Sequence, residues 1–183
     1  EEFLEKAKKA GCSYIAIGIE SGSQEILNRI PKGETLDDMR KAVAMIKKAG
    51  IPITGFFIIG LLGDTKETME KTINFAKELD LDIASFNMAV PYPGTRMWDM
   101  IKEDRGEIFL KDWDDFHHTS GKCLYSIPGM SDPKTVEMMY RKAISRFYFR
   151  PGYILKQIFR IRSFSQIKNM LRGLKTILRT QKK

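Results

Sequence analysis

Cysteine and histidine are scarce in this chain. Its 183 residues hold two cysteines, Cys12 and Cys123, and two adjacent histidines, His117-His118. Two thiols so far apart exclude a disulfide framework. They also exclude an iron–sulfur or zinc site built wholly from this chain, because such sites need three or four clustered ligands. Nothing in this cysteine usage suggests secretion, and a reducing cytoplasm is the expected compartment. Long apolar runs are missing too: none reaches the roughly 18 to 20 residues of a membrane span. The opening Glu1-Glu2-Phe3-Leu4-Glu5 is no secretory signal. It does not begin with Met and reads as the middle of a helix, so a piece of a longer protein is expected. Acidic residues are nearly absent from the last stretch, where Lys134 to Lys183 carries fourteen Lys and Arg against Glu137 alone. The net charge of +8 therefore divides into a mildly acidic body and a strongly basic tail.

Apolar residues make up 43 % of the chain, enough for a sizeable core. Residues 2 to 10 read as an amphipathic helix closed by Gly11. Tyr14 to Glu20 is a short apolar run bounded by turn residues, the mark of a buried strand. Ser23 can cap a helix from Gln24 to Ile30, which Pro31-Lys32-Gly33 breaks. Thr35 with Asp38 is a capping pair. The helix it opens has Leu36, Met39, Val43 and Ile46 at helical spacing and ends at Gly50. Ile53 to Ile59 is almost wholly apolar, as strands of parallel sheets are. Asp64 with Glu67 is expected to cap the next helix, with a stripe of Met69, Ile73, Ala76 and Leu79. A third strand is expected from Ile83 to Val90. Strand, helix, strand, helix, strand at this spacing implies a parallel sheet.

After Thr95 the pattern changes. Met97, Trp98 and Ile101 suggest a short helix, and residues 105 to 130 look irregular and aromatic. Ser131-Asp132-Pro133 starts a helix that runs to about Phe149, with Pro at its first position. From Ile154 to Leu178 apolar residues at spacings of three and four predict amphipathic helix, broken near Ser163 to Ser165.

Sites in parallel α/β architectures form at the C-terminal ends of strands, and three segments qualify. In Gly18-Ile19-Glu20-Ser21-Gly22 an acid leaves an apolar strand as it meets solvent. Its carboxylate could accept from a ribose or an amino group, or serve as a helix-start acid held by neighbouring amides. In Gly55 to Thr65, glycines at a strand end let a ligand approach the backbone, or simply make a tight turn. In Pro91-Tyr92-Pro93-Gly94-Thr95, a rigid loop presents Tyr92 either to a pocket or to its own packing.

Taken together and in order, these segments resemble the radical S-adenosylmethionine (SAM) domain shared by the Elongator catalytic subunit, the tRNA methylthiotransferases and the nitrogenase-cofactor assembly enzymes. The likeness is strongest to members that also carry a cobalamin-binding domain, relatives of the anaerobic magnesium-protoporphyrin ester cyclase. AGCSYIAIGIESGSQEILNRIPKG (10–33), KKAGIPITGFFIIGLLGDTKET (47–68) and PYPGT (91–95) carry it, with Phe147-Tyr148-Phe149-Arg150-Pro151 downstream. It spans about residues 2 to 160.

The resemblance implies the C-terminal half of a partial (β/α)6 TIM-like barrel over residues 1–130, followed by a basic helical extension over 131–183. It places Glu20 near the SAM ribose and methionine, with Ser21 beside it in the same cofactor segment. Lys32 falls where some relatives reach the SAM carboxylate, and Phe57, Ile59 and Gly60 lie in the segment that lines the adenine. Leu62 and Asp64 are mild departures from a common Pro and Glu. The serious departure is the absence of CxxxCxxC, whose three thiolates hold the 4Fe–4S cluster. The implied parent makes a 5′-deoxyadenosyl radical by reductive cleavage of SAM, with cobalamin as a further implied cofactor. This chain is expected to be inactive without the N-terminal half of the barrel and a reductant such as flavodoxin or ferredoxin. The implied substrate is a small molecule or a lipid. Two other readings stand beside it. One is a tRNA methylthiotransferase-type enzyme. The other is a non-catalytic module whose basic tail grips nucleic acid or an anionic membrane surface, although that tail also fits a solvated helix pair packed on the barrel.

Overall fold

The computed structural model describes residues 1–30 and 32–160, with residues 168, 172, 173, 175 and 177 beyond them. The basic stretch from 161 onward, and with it most of the tail helix expected there, lies outside the described residues. Helix α1 (Glu2–Lys9) leads into strand β1 (Ile15–Glu20), then α2 (Gln24–Leu27) and α3 (Leu36–Ala49). Strand β2 (Ile53–Ile59), α4 (Lys66–Glu78) and β3 (Ile83–Met88) follow. Next come α5 (Arg96–Glu103), β4 (Glu107–Ile108), a 3₁₀ turn (Trp113–Asp115), β5 (Tyr125–Ser126), α6 (Pro133–Tyr148) and α7 (Pro151–Arg160). Among the described residues no helix is long and apolar enough to cross a membrane.

The three long strands form one sheet in the order β1-β2-β3, with both pairings parallel. Their C-terminal ends therefore lie on one edge, where Glu20, Gly60 and Pro91 emerge. The helices stay where the sequence puts them because their ends are chemically marked. The Thr35–Asp38 capping box starts α3, and Gly50 in the left-handed region ends it. Helix α4 differs from expectation: Thr65 and Thr68 make its capping box. Asp64 instead folds inward, almost fully buried, to hold the preceding turn.

Among the described residues the two faces of the sheet are covered unequally. Ile53, Phe57, Ile59, Ala84, Phe86 and Met88 point into a core shared with α3, α4 and α6. Phe57 stacks on Phe86 at 5.2 Å between ring centroids. Alternation along the strands sends Thr54, Phe56, Ile58, Ser85 and Asn87 to the opposite face, where Phe56 is exposed and Ile58 packs against a smaller cluster of Ile26, Leu61, Ala89, Ile101 and Tyr125. Helix α6 contributes Val136, Met139, Tyr140, Ala143 and Phe147 to this core. The region from 105 to 130 holds more order than its composition suggests: β4 and β5 pair antiparallel, Glu107 with Ser126 and Ile108 with Tyr125.

Candidate functional site

The C-terminal edge of β1 is bent by its own backbone. Gly18 pairs with Phe56 and Glu20 with Phe57, so Ile19 is one residue too many and the strand bulges. Past the bulge Glu20 sits at φ 64°, a left-handed conformation that costs a side-chain-bearing residue of order 1 kcal/mol. The bulge keeps Ile19 fully buried and re-aims Glu20. Lys32 arrives at the same place from the turn after α2. That turn is stapled by Gln24, whose side-chain oxygen accepts from the Leu36 amide at 3.0 Å and whose nitrogen donates to Asn28 at 2.9 Å.

Lys32 donates to the carbonyl of Gly18 and lies 3.4 Å from Glu20 Oε1 and 3.4 Å from Glu34 Oε2. The Glu20 and Lys32 side chains are each 23 % exposed, so the pair is half withdrawn from water yet open to it. Gly18 makes this possible: a Cβ there would stand 2.5 Å from Glu20 Oε1 and 3.2 Å from Lys32 Nζ. The result is an acid and a base held side by side over a bare stretch of backbone. Such a cradle can accept from hydroxyls with the carboxylate and donate to a carboxylate with the ammonium.

The other expected site residues are placed differently. Ser21 is fully buried, 3.2 Å from the Thr72 hydroxyl of α4, and accepts from the Ser23 amide at 3.1 Å. The same Thr72 oxygen accepts from the Gly22 amide at 2.9 Å, so this segment clamps β1 to α4. Phe57 and Ile59 turn their side chains entirely into the core, which leaves only main chain for a ligand. Gly60, at φ 80°, has both main-chain groups engaged. Its amide donates to Asp64 Oδ2 at 3.0 Å, and its carbonyl accepts from the Tyr125 hydroxyl at 2.5 Å. Asp64 also accepts from the Leu61 amide at 2.9 Å and the Thr68 hydroxyl at 2.6 Å, yet burial pushes its carboxyl up to about 6. Gly18, Gln24 and Glu34 had no assigned role at the sequence level. Gly18 was legible only as part of the Gly-Ile-Glu-Ser-Gly run, and the other two carry no local signal.

The chain's own thiols do not fit an iron–sulfur cluster. Cys12 donates to the Tyr14 carbonyl at 3.3 Å and buried Cys123 to the Tyr125 carbonyl at 3.2 Å. Burial pushes the Cys123 thiol up to about 11, far from the thiolate a metal requires. Among the described residues no three His, Cys, Asp or Glu side chains gather into a metal-binding group.

Comparison with known proteins finds the model of the radical SAM superfamily over residues 1–76. An uncharacterized methyltransferase of Pyrococcus horikoshii is 37 % identical over 174 residues, 95 % of this chain and 37 % of that protein. The anaerobic magnesium-protoporphyrin IX monomethyl ester cyclase of Rubrivivax gelatinosus is 30 % identical over 109 residues, 60 % of this chain and 20 % of that one. The chain thus spans well under half the length of these relatives. Among solved structures, the radical SAM methyltransferase TsrM of Kitasatospora setae, with cobalamin and a 4Fe–4S cluster bound, shares the fold. Its TM-score is 0.58 at 18 % identity, over 82 % of this chain and 34 % of that one.

Proposed function

We propose, from the premise that this chain belongs to the radical SAM superfamily, that it forms the SAM-holding arc of a barrel enzyme that methylates a small molecule or lipid. The carrying observation is Glu20, forced into the left-handed region at the end of β1 and bridged to Lys32 across the missing side chain of Gly18. Backbone strain of that kind persists where the surrounding structure holds it for a purpose. Methyl transfer is favoured over other radical SAM outcomes because the long match to the Pyrococcus horikoshii protein carries that name, and cobalamin is the methyl carrier expected for it.

Within this arc Glu20 would accept from the ribose hydroxyls of SAM, and Lys32, 3.4 Å from Glu20, would donate to the methionine carboxylate. Main chain near Gly60 borders the adenine. SAM bound there supplies one-electron and methyl chemistry, together with a cluster whose ligands lie outside this chain. The bulge keeps the Glu20 carboxylate from rotating into the core, and Glu34 holds Lys32 near the edge.

The test uses the full-length protein, loaded with its cluster under anaerobic conditions and supplied with SAM and a low-potential reductant such as flavodoxin or ferredoxin. Release of 5′-deoxyadenosine or S-adenosylhomocysteine is expected. A fully loaded protein that neither binds nor consumes SAM rejects the proposal.

A further inference from the structure

Beyond the Glu20–Lys32 cradle, the same edge of the sheet carries three aromatic rings in contact. Tyr92, in the turn after β3, stacks on Phe116 with centroids 5.3 Å apart and planes 18° apart. Trp113 continues the row at 5.2 Å and 31°. Aromatic rings packed together usually end inside a core, but here Trp113 is 78 % exposed and Tyr92 42 %. Phe116 is half-buried between them.

The row is also built to stay put. The Thr95 hydroxyl donates to the Tyr92 carbonyl at 2.7 Å, and the Thr95 amide does so at 3.2 Å. Trp113 opens a 3₁₀ turn closed at both ends, where Asp112 accepts from the Asp114 amide at 2.8 Å and Asp115 from the Lys111 amide at 2.9 Å. The Met88 amide donates to the His118 carbonyl at 2.7 Å, which ties the Phe116 loop to the end of β3. Large rings held rigid and exposed cost little entropy to use, which is the property of a binding anchor.

We propose that the Tyr92–Phe116–Trp113 row is a substrate platform that stacks a flat conjugated ring, uncharged or cationic. This rests on the reading of the Glu20 edge as the reacting site. Stacking spends both faces of Phe116 within the row and leaves the outer face of Trp113, 78 % exposed, to be covered, and a flat ring gains more there than an acyl chain does. Residues 111–118 carry three aspartates against one lysine, which disfavours phosphate-bearing rings and nucleic acid. Strand β3 lies two strand spacings from β1, about 10 Å. Tyr92 and Glu20 thus leave their strands on the same edge of the sheet.

Riboflavin and its 5′-phosphate make suitable probes, since they share one flat ring and differ in charge. Titrated into full-length protein at low salt, riboflavin should bind saturably and the phosphate several-fold more weakly. Trp113→Ala should weaken riboflavin about tenfold, equivalent to about 1.4 kcal/mol, and Trp113→Phe should recover most of it. Trp113 is exposed, so neither variant should lose fold, and both should bind SAM as the parent does. Absence of saturable riboflavin binding, equal binding by Trp113→Ala, or tighter binding of the phosphate would overturn the platform. So would shielding of Trp113 from acrylamide quenching in ligand-free full-length protein whose other tryptophans are all replaced by Phe, which would mean that another part of the protein covers the row. Riboflavin binding that survives in a protein unable to bind SAM would support the platform and count against the reading of Glu20.

Discussion

A single residue separates the readings of this site. Glu20 pays strain at φ 64°, and glycine would relieve it. If Glu20 were only a structural cap, Glu20→Gly and Glu20→Ala would both lower stability and leave SAM affinity unchanged in the folded protein. If it holds the ribose, Glu20→Gly should keep or gain about 1 kcal/mol of stability, while SAM binds roughly ten- to a hundredfold more weakly, the loss of one charge-assisted bond. Paired calorimetric titration and urea unfolding of the full-length protein check both numbers, and unchanged SAM affinity would sink the assignment. Asp64 offers a second residue-scale test. Burial lifts its carboxyl from 3.8 to about 6 in the folded chain, against the pull of three donors. A raised carboxyl stabilises the fold fully below its unfolded value, near 4, and loses that contribution as pH climbs through about 6. Relative to Asp64→Asn, the parent should therefore lose up to about 3 kcal/mol between pH 4 and 7. A constant difference across that window would show that the carboxylate is ionised throughout. Position alone made Glu20 legible in the sequence, as an acid closing an apolar run. Its strain was not, because a bulge depends on the partner strand.

At the scale of elements, the three strands and the helices between them were legible because hydrophobic period and caps agreed. What escaped was whatever depends on distant partners. Asp64 looked like a helix cap, since an acid three residues before Glu67 has the right spacing, but three inward donors claimed it instead. The pairing of β4 with β5 is two residues long and leaves no period to read. The Phe147-Tyr148-Phe149-Arg150-Pro151 segment was legible only as a resemblance. Its work is to clamp the α6–α7 corner beneath the sheet. The Tyr148 hydroxyl donates to the Ala84 carbonyl and the Tyr153 hydroxyl to the Asp82 carbonyl, each at 2.9 Å. Arg150 donates to the carbonyls of Phe147 and Lys77, each at 2.9 Å, and lies 4.3 Å over the Phe147 ring. A planar fork does this and an ammonium cannot. Arg150→Ala should cost about 2 kcal/mol, since two charge-assisted bonds and a cation–π contact go, and Arg150→Lys should cost nearly as much. Full stability of the lysine variant in denaturant unfolding would show that charge, not geometry, holds the corner.

The whole sheet poses a different problem. Parallel sheets are normally covered on both faces, yet among the described residues one face packs against α3, α4 and α6 and the other is covered mainly beside Ile58. From the sequence Phe56 and Phe57 look alike, but Phe56 is 39 % exposed on the thinly covered face and Phe57 is fully buried on the other. The apolar run of β2 therefore showed that both faces want cover without showing which one this chain supplies. The edge of β1 adds to this. The Ile15 amide donates to the Pro52 carbonyl at 2.9 Å, so Ile15 and Ile17 turn their main chain toward β2. By alternation Ala16 and Gly18 turn theirs outward, where Lys32 meets the Gly18 carbonyl. An outward row of amides beside a thinly covered face is what the middle of a barrel looks like when cut along a strand. In the full-length protein a preceding strand should pair with β1, and the Ala16 and Gly18 amides should exchange with deuterium as slowly as those of Ile15 and Ile17. Phe56 should be shielded from solvent in the same molecule. If Ala16 and Gly18 exchange at the rate of the surface loops while Ile15 and Ile17 stay protected, the sheet ends at β1. The Glu20–Lys32 cradle would then face open solvent, where exposed ion pairs contribute little and a radical reaction has no shelter from water.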